Sequence, residues 1–389
     1  MSARSNGSSH ILTVNAGSSS LRLVSFALED ALPQMAQAHL SPAPARDPNV
    51  LVDFLRQQGL GVPEIIMHRV VHGGARLTRP CFLDAEVETE IARLKNLAPL
   101  HNGVALDWID ATRRAFGAET PQAACFDSGF YAEMPPFAAS YALPPDLCRE
   151  HELRRYGFHG LAHQSLLQQW LASSEHSGKR RVISLQLGAG CSATASDHGW
   201  PIDTSMGFSP LEGLIMATRC GDLDPAAVLY LIDKAGFSAS ELGWIFNESS
   251  GLRAVSGESG DMRRLLDSDT DAAALAVSMF CHRLQKYLGA YLAVLGGADA
   301  ILFGGGIGEH APEIRARVLA RFEWAGIRID ATRNAAISAD RGGAIHTNNS
   351  ATEVWVIPTD EARVMAEAAR GLLSPFTFTA EPLSREGTA

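Results

Sequence analysis

Three stretches of the sequence concentrate side chains suited to handling anions. His68-Arg69-Val70-Val71-His72-Gly73-Gly74 sets an arginine between two histidines and ahead of a glycine pair. Arg154-Arg155-Tyr156-Gly157-Phe158-His159-Gly160-Leu161-Ala162-His163 is a second basic cluster, and Thr218-Arg219-Cys220-Gly221-Asp222 puts another arginine next to a glycine. A guanidinium fork grips carboxylate or phosphate through two parallel hydrogen bonds. Neither histidine cluster has the H-E-x-x-H spacing that lines up zinc ligands on a helix. Taken singly, such a histidine is more often a satisfied structural residue, and such an arginine more often a surface or ion-pair residue.

Small-residue turns accompany these clusters at 17–20, at Gly188-Ala189-Gly190 and at Gly304-Gly305-Gly306-Ile307-Gly308-Glu309. Residues this small let backbone N–H groups approach a phosphate. Any one of these turns reads equally well as a tight bend needing positive φ; three in one chain point to phosphates. Phosphoryl transfer asks for such parts: amide cradles, a divalent metal on oxygen ligands, and cations on the transferring group.

The elements that must position these residues follow from the apolar pattern. The run Ile11–Val14, the small-residue tip and the run Leu21–Phe26 predict strand, turn, strand. The same unit recurs as Val182–Leu187, Gly188–Gly190 and Cys191–Ser196, with a further turn at Asp197-His198-Gly199. Two such units suggest two halves built alike, although two unrelated hairpins fit the pattern about as well. From Leu275 to Leu295, apolar residues at 277, 280, 284, 287, 288, 291, 292 and 295 predict a helix ended by Gly296-Gly297. A strand at 300–303, the glycine loop and a helix from Pro312, carrying Ile314, Val318, Leu319 and Phe322 on one face, follow. A strand at Val354–Ile357 and an Ala-rich helix to Leu373 complete an α/β chain with both hairpins and crossovers.

Bulk properties bound the partners. With 389 residues, 46% apolar and 20% charged, the chain can build two domains with real cores. Both ends, Met1–His10 and Thr379–Ala389, are polar and read as loose tails. A net charge of −10 argues against nucleic acid or an anionic membrane, but leaves room for a locally basic nucleotide pocket. No apolar run approaches the ~20 residues of a bilayer span, and no signal peptide is evident, so a cytoplasmic location is expected. Six scattered cysteines without C-x-x-C spacing read as reduced thiols.

Longer motifs make the reading specific. Asn15-Ala16-Gly17-Ser18-Ser19-Ser20-Leu21, His68–Gly74, Leu97-Ala98-Pro99-Leu100-His101-Asn102, Arg155–Gly160, Asp203–Gly213 and Gly305–Glu309 closely resemble the acetate kinase family, in the family's order. With Glu361, the resemblance spans residues 11 to about 370. It implies two related domains of the actin/hexokinase/Hsp70-type ATPase fold with an interdomain cleft: residues 1–127 with a returning 362–389, and a nucleotide-binding 128–361. It implies reversible phosphoryl transfer from ATP to acetate, giving ADP and acetyl phosphate, in a homodimer. The alternatives are a propionate or butyrate kinase with the same chemistry, or an inactive nucleotide-binding regulator.

Roles carry over by position. The resemblance makes Asn15 and Glu361 the metal site for Mg²⁺, with Mn²⁺ as a substitute. It gives Arg69 the substrate carboxylate, Arg219 the oxygens of the transferring phosphoryl group, and His159 a donor's role in the transition state. Asp127 matches the active-site aspartate. Acetate needs no proton removed near neutral pH, so Asp127 reads as orienting an arginine or a metal-bound water. Val71, Leu100, Phe158 and Pro210 match the pocket for the substrate's alkyl group. Nucleotide contacts are expected from Arg22, from Gln186, Leu187, Gly188, Ala189 and Gly190, from Asp261, Met262 and Arg263, and from Gly306, Ile307, Gly308, Glu309 and His310. The chain departs from the family pattern at Arg22 (usually lysine), Gln186 (usually histidine), Ala189 (usually asparagine), His310 (usually asparagine) and Tyr131 (often histidine). Most of these changes fall on the nucleotide side, so altered ATP affinity or an altered phosphoryl donor is expected.

Overall fold

The protein is described by a computed structural model covering residues 9–17, 20–41, 46–98, 101–172, 178, 180–338 and 340–374. Two six-stranded sheets form its centre. The first holds β1 (His10–Ala16), β2 (Leu21–Ala27), β3 (Gln34–Leu40), β4 (Ile65–Val70), β5 (Cys81–Phe82) and β6 (Gln122–Phe126), in the order β3-β2-β1-β4-β6-β5. The second holds β7 (Val182–Leu187), β8 (Cys191–Asp197), β9 (Trp200–Thr204), β10 (Ala300–Gly304), β11 (Gly343–Ala344) and β12 (Glu353–Val356), in the order β11-β12-β10-β7-β8-β9. Read from the opposite edge, the second order repeats the first. In each, a three-stranded antiparallel meander is followed by two strands parallel to its first strand and a short antiparallel edge. The two recurring hairpins are therefore the openings of two halves built alike.

Each sheet is buried on both faces, as parallel strands require. On one side of the first sheet Ile11, Ile65, Met67 and Cys125 meet Val364, Met365 and Ala369 of the helix Glu361–Leu373. On the other, Leu12, Val14 and Ile66 meet Trp108 of the helix Asn102–Phe116. The period-2 alternation of β1 thus sends successive residues into different cores. The second sheet packs Ile183, Leu185 and Ile301 against the long helix Asp271–Leu295, and Val182, Ala300 and Leu302 against Leu166, Leu167 and Trp170 of the helix Gly160–Ala172. Helices 160–172 and 361–373 touch each other and form the layer between the sheets.

The long helix extends one turn further back than its apolar period predicts, to Asp271, because Thr270 caps it; Gly296 in the left-handed region ends it. The expected glycine loop after β10 is instead a short helix, Gly305–His310. Glycine-rich sequence disfavours a helix locally, but tertiary contacts override it. The Glu309 carboxylate accepts N–H bonds from Gly305 (2.8 Å) and Thr359 (3.1 Å), and a side chain at Gly305, whose φ is +74°, would collide with the Leu187 carbonyl. Phe322 lies past the end of the helix Pro312–Leu319 yet still joins the core. All six cysteines are free thiols, and no helix among the described residues is long and apolar enough to cross a membrane.

Candidate active site

The site forms where the parallel strands of the first sheet end, the usual place for ligands in open α/β sheets. Asn15 lies at the end of β1, Arg69 near the end of β4, and Asp127 directly after β6. Asp127 is fully buried and takes Arg69 side-on: Nε donates to Oδ1 at 3.1 Å and Nη2 to Oδ2 at 2.7 Å. Arg69 Nη1 donates to Asn15 Oδ1 at 3.1 Å and lies 3.6 Å from Glu361. Burial works against the Arg69 charge, but the Asp127 and Glu361 carboxylates more than restore it and raise its pKa. Burial, the larger effect, raises the Asp127 carboxyl above the ordinary carboxylate range, with Arg69 pulling it back. With both oxygens accepting from the guanidinium, the pair is ionised.

The second cluster supplies His159 from a strained turn. Its φ is +56°, rare for a residue with a side chain. The turn is held by Tyr131, whose hydroxyl donates to the Phe158 carbonyl at 2.9 Å and whose ring fills the space that a side chain at Gly157 would need. Tyr131 is therefore an anchor of the His159 turn. His159 Nδ1 meets the Ser192 hydroxyl at 2.9 Å. Its other edge faces Gly190, where an added Cβ would lie 3.2 Å from Nε2 and 3.8 Å from Arg219 Nη1. Glycine at 190 makes room for the His159 ring at the tip, with Arg219 beside it. Burial first, then Arg69, His163, Arg219 and His101, hold the His159 pKa well below its ordinary value, so the ring is neutral.

Arg219 is paired differently from Arg69. One Nη donates to the Pro210 carbonyl at 3.1 Å, and no carboxylate lies within ion-pair distance among the described residues. Its pKa is lowered by burial, with Glu248 opposing. A half-buried guanidinium without a carboxylate at ion-pair distance is a ready anion site. The loop that carries it is tied to the tip by the Ala217 N–H, which donates to the Ala189 carbonyl at 2.9 Å.

The model of the acetokinase family matches residues 49–367 of this sequence. The acetate kinase of Chloroherpeton thalassium is 42% identical over 362 residues, covering 88% of this chain and 87% of that one. The chain belongs to the acetokinase family. Solved structures agree: a propionate kinase from Francisella tularensis (32% identity, TM-score 0.83, covering 92% of this chain and 98% of that one) and the acetate kinase of Porphyromonas gingivalis (31%, 0.82, 94% and 100%) superpose along its length. Its two similar sheets are the paired halves of the actin/hexokinase/Hsp70-type fold that the resemblance implied.

Within this acetokinase frame the expected residues fall into groups. Arg69, Asp127, Asn15 and Glu361 form one contact network, and His159, Gly190 and Arg219 a second. His101 was quoted only within a motif, yet it belongs with them: burial, then Arg219 and Arg69, push its pKa down to about 3. Val71 and Phe158 are buried in one cluster, and buried Pro210 holds Arg219. Leu100 lies outside the described residues. Arg22 is exposed and stands across from Asn15 in the β1–β2 register.

On the nucleotide side several side chains serve the fold. Leu187 and Met262 are core residues, which leaves only their backbone for a ligand. Gln186 accepts from the Thr359 hydroxyl at 3.0 Å, and Glu309 ties Gly305 to Thr359. Asp261 caps its helix and pairs with exposed Arg263 at 2.8 Å. His310 meets the Gly306 carbonyl at 3.0 Å, Ile307 packs on the core, and Gly308 is buried, while Gly306 and Ala189 are open. Gly188 and Gly190 close the tip through an N–H to carbonyl bond of 3.0 Å.

For a metal, Asn15 and Glu361 offer hard oxygen donors and are linked by a 2.5 Å hydrogen bond from the Asn15 amide nitrogen. No group of three or more His, Cys, Asp or Glu able to hold a metal occurs among the described residues. One carboxylate and one amide suit magnesium, which keeps several waters and shares its shell with phosphate oxygens.

Proposed function

We propose that the chain is an acetate kinase catalysing ATP + acetate ⇌ ADP + acetyl phosphate by direct in-line transfer. The observation that carries the reading is the unequal pairing of the two arginines around a neutral histidine. Arg69 is neutralised and aimed by Asp127, while Arg219 is half-buried with no carboxylate within ion-pair distance among the described residues. In this reading Arg69, with two of its five N–H donors still unused, grips the acetate carboxylate. Arg219 and the His159 N–H face the equatorial oxygens of the phosphoryl group as charge moves across it. A carboxylate oxygen forms the new bond to phosphorus, the bond to the ADP oxygen breaks, and no proton is transferred. Asp127 orients Arg69 and is not a base.

Asn15 and Glu361 would hold Mg²⁺, or Mn²⁺ in its place, after the Asn15 amide turns its oxygen from Arg69. When bound, the ion neutralises phosphate charge. Val71, Leu100, Phe158 and Pro210 limit the alkyl group. One methylene is worth only ~1–3 kcal/mol in such a pocket, so propionate is a slower substrate. Residues 188–190, 261–263 and 306–310 receive the nucleotide, and the departures at Arg22, Gln186, Ala189 and His310 alter ATP affinity or donor choice.

The lobes that close on the substrates are 1–127 with 362–389, and 128–361; each sheet lies wholly within one of them. A homodimer is supported by the helix Pro225–Asp233, none of whose residues is buried, and by exposed Leu223, Leu229, Tyr230, Ile232 and Trp244 around it. A monomer in sedimentation at micromolar concentration would remove that assignment. We place the enzyme in the cytoplasm. Hydroxylamine trapping of the acyl phosphate with acetate, propionate and butyrate tests the reaction. Product fastest with acetate supports it; product with no acid, despite nucleotide binding, refutes it. Ordinary ATP use without acetate activity would count against altered nucleotide handling.

A further inference from the structure

Behind His159 a line of buried groups runs into the second sheet. His159 Nδ1 meets Ser192 Oγ at 2.9 Å, Ser192 Oγ meets His163 Nε2 at 2.8 Å, and His163 Nδ1 meets Ser184 Oγ at 2.7 Å. Ser184, Ser192 and His163 are buried, and the two serines make no other side-chain hydrogen bond among the described residues. The line ends at Ser184 on β7, while its open end is the Nε2 edge of His159 at Gly190, beside Arg219.

Proton counting decides the direction of this line. Ser192 has one hydroxyl proton and touches two ring nitrogens, so it donates to one ring and accepts from the other. In the first arrangement Ser184 donates to His163 Nδ1, His163 Nε2–H donates to Ser192, and Ser192 donates to His159 Nδ1. Every buried proton then has an acceptor, and the His159 proton sits on Nε2, facing the site. In the reverse arrangement the His159 proton sits on Nδ1, and the Ser184 hydroxyl is left with no acceptor in the core. A buried donor left unmade disfavours that arrangement about tenfold or more. The reverse would also aim a lone pair at an anionic substrate. Both rings are neutral: burial takes His163 down to about 3 and, with its charged neighbours, holds His159 well below its ordinary value, so neither histidine carries two protons to blur the count.

We propose that Ser184, His163 and Ser192 are positioning residues that lock His159 as the Nε2–H tautomer, so that it is always a hydrogen-bond donor to the transferring phosphoryl group. The proposal rests on the role given to His159 above.

The test is the ring nitrogen spectrum of the ¹⁵N-histidine-labelled full chain, with His159 assigned by loss of its signals in His159→Gln. The wild type should show a protonated Nε2 and a bare Nδ1. Ser184→Ala removes the terminal donor and with it the bias; both tautomers should become visible, with kcat down about twofold and both KM values unchanged. Ser192→Ala also cuts the ring's anchor, and kcat should fall about tenfold at unchanged KM. Ser184→Thr, which keeps the hydroxyl, should restore spectrum and kcat. A protonated Nδ1 in the wild type, or a tautomer unmoved by Ser184→Ala, overturns the proposal; the wild-type spectrum decides even if a variant fails to fold. Full turnover in His159→Gln, whatever the spectrum, would overturn instead the part given to His159 in the reaction.

Discussion

Replacing Asp127 by Asn asks what that carboxylate does. Asp127 is fully buried and holds Arg69 by bonds of 3.1 and 2.7 Å, while the Arg69 side chain is 15% exposed. Removing one partner of a buried pair costs about 3–5 kcal/mol, because the other charge is left behind. Asn keeps one acceptor and Glu361 lies 3.6 Å from Arg69, so the lower end, about 3 kcal/mol, is expected. Arg69 should then lean toward Glu361 and compete for the oxygens assigned to the metal. Chemical denaturation should report the loss of stability. Steady-state kinetics should show raised KM for acetate, a raised half-saturating Mg²⁺ concentration and a reduced but measurable kcat. Complete loss of turnover with normal acetate and Mg²⁺ dependence and an undisturbed Arg69 would refute the orienting role and reinstate a base.

Three further outcomes follow from the same geometry. Arg219→Met should leave stability unchanged or slightly raised, since a half-buried charge without a carboxylate at ion-pair distance is replaced by an apolar chain, while hydroxylamine trapping should show turnover falling about 10³-fold or more. Gly190→Ala puts a methyl 3.2 Å from the His159 ring, so kcat should drop roughly tenfold with little change in denaturation midpoint, the lost donor geometry being worth about 1.4 kcal/mol. His68, buried and bonded to Gln122 at 2.9 Å, has its pKa pushed down by burial to about 4. The unfolded chain then binds the extra proton between about pH 6.5 and 4, so stability present above pH 6.5 is lost as pH falls through that window. At pH 5 the loss from this group is about 2 kcal/mol; His68→Gln should flatten the denaturation free energy by that amount between pH 7 and 5.

The local pattern of this chain determined the paired strands of its two hairpins, the strands β10 and β12 and the C-terminal end of its long helix, because hydrophobic period, turn glycines and caps act over a few residues. It also determined the family, since the motifs around Asn15, Arg69, His159 and Gly305 run in a fixed order. Their spacing alone left Arg69 and Arg219 as two ordinary arginines beside glycines. Tertiary structure separated them: the end of β6 brings Asp127 onto Arg69, while the loop after β9 leaves Arg219 half-buried without a carboxylate at ion-pair distance. The short helix at 305–310 was decided in the same way, by a Glu309 carboxylate reaching Gly305 and Thr359 against the local preference of three glycines. So was the relay behind His159, whose members come from a helix and two strands. Charge pairing and buried proton counts depend on which groups meet at about 3 Å, and that is a property of the packed halves, with no trace in the order of residues along the chain.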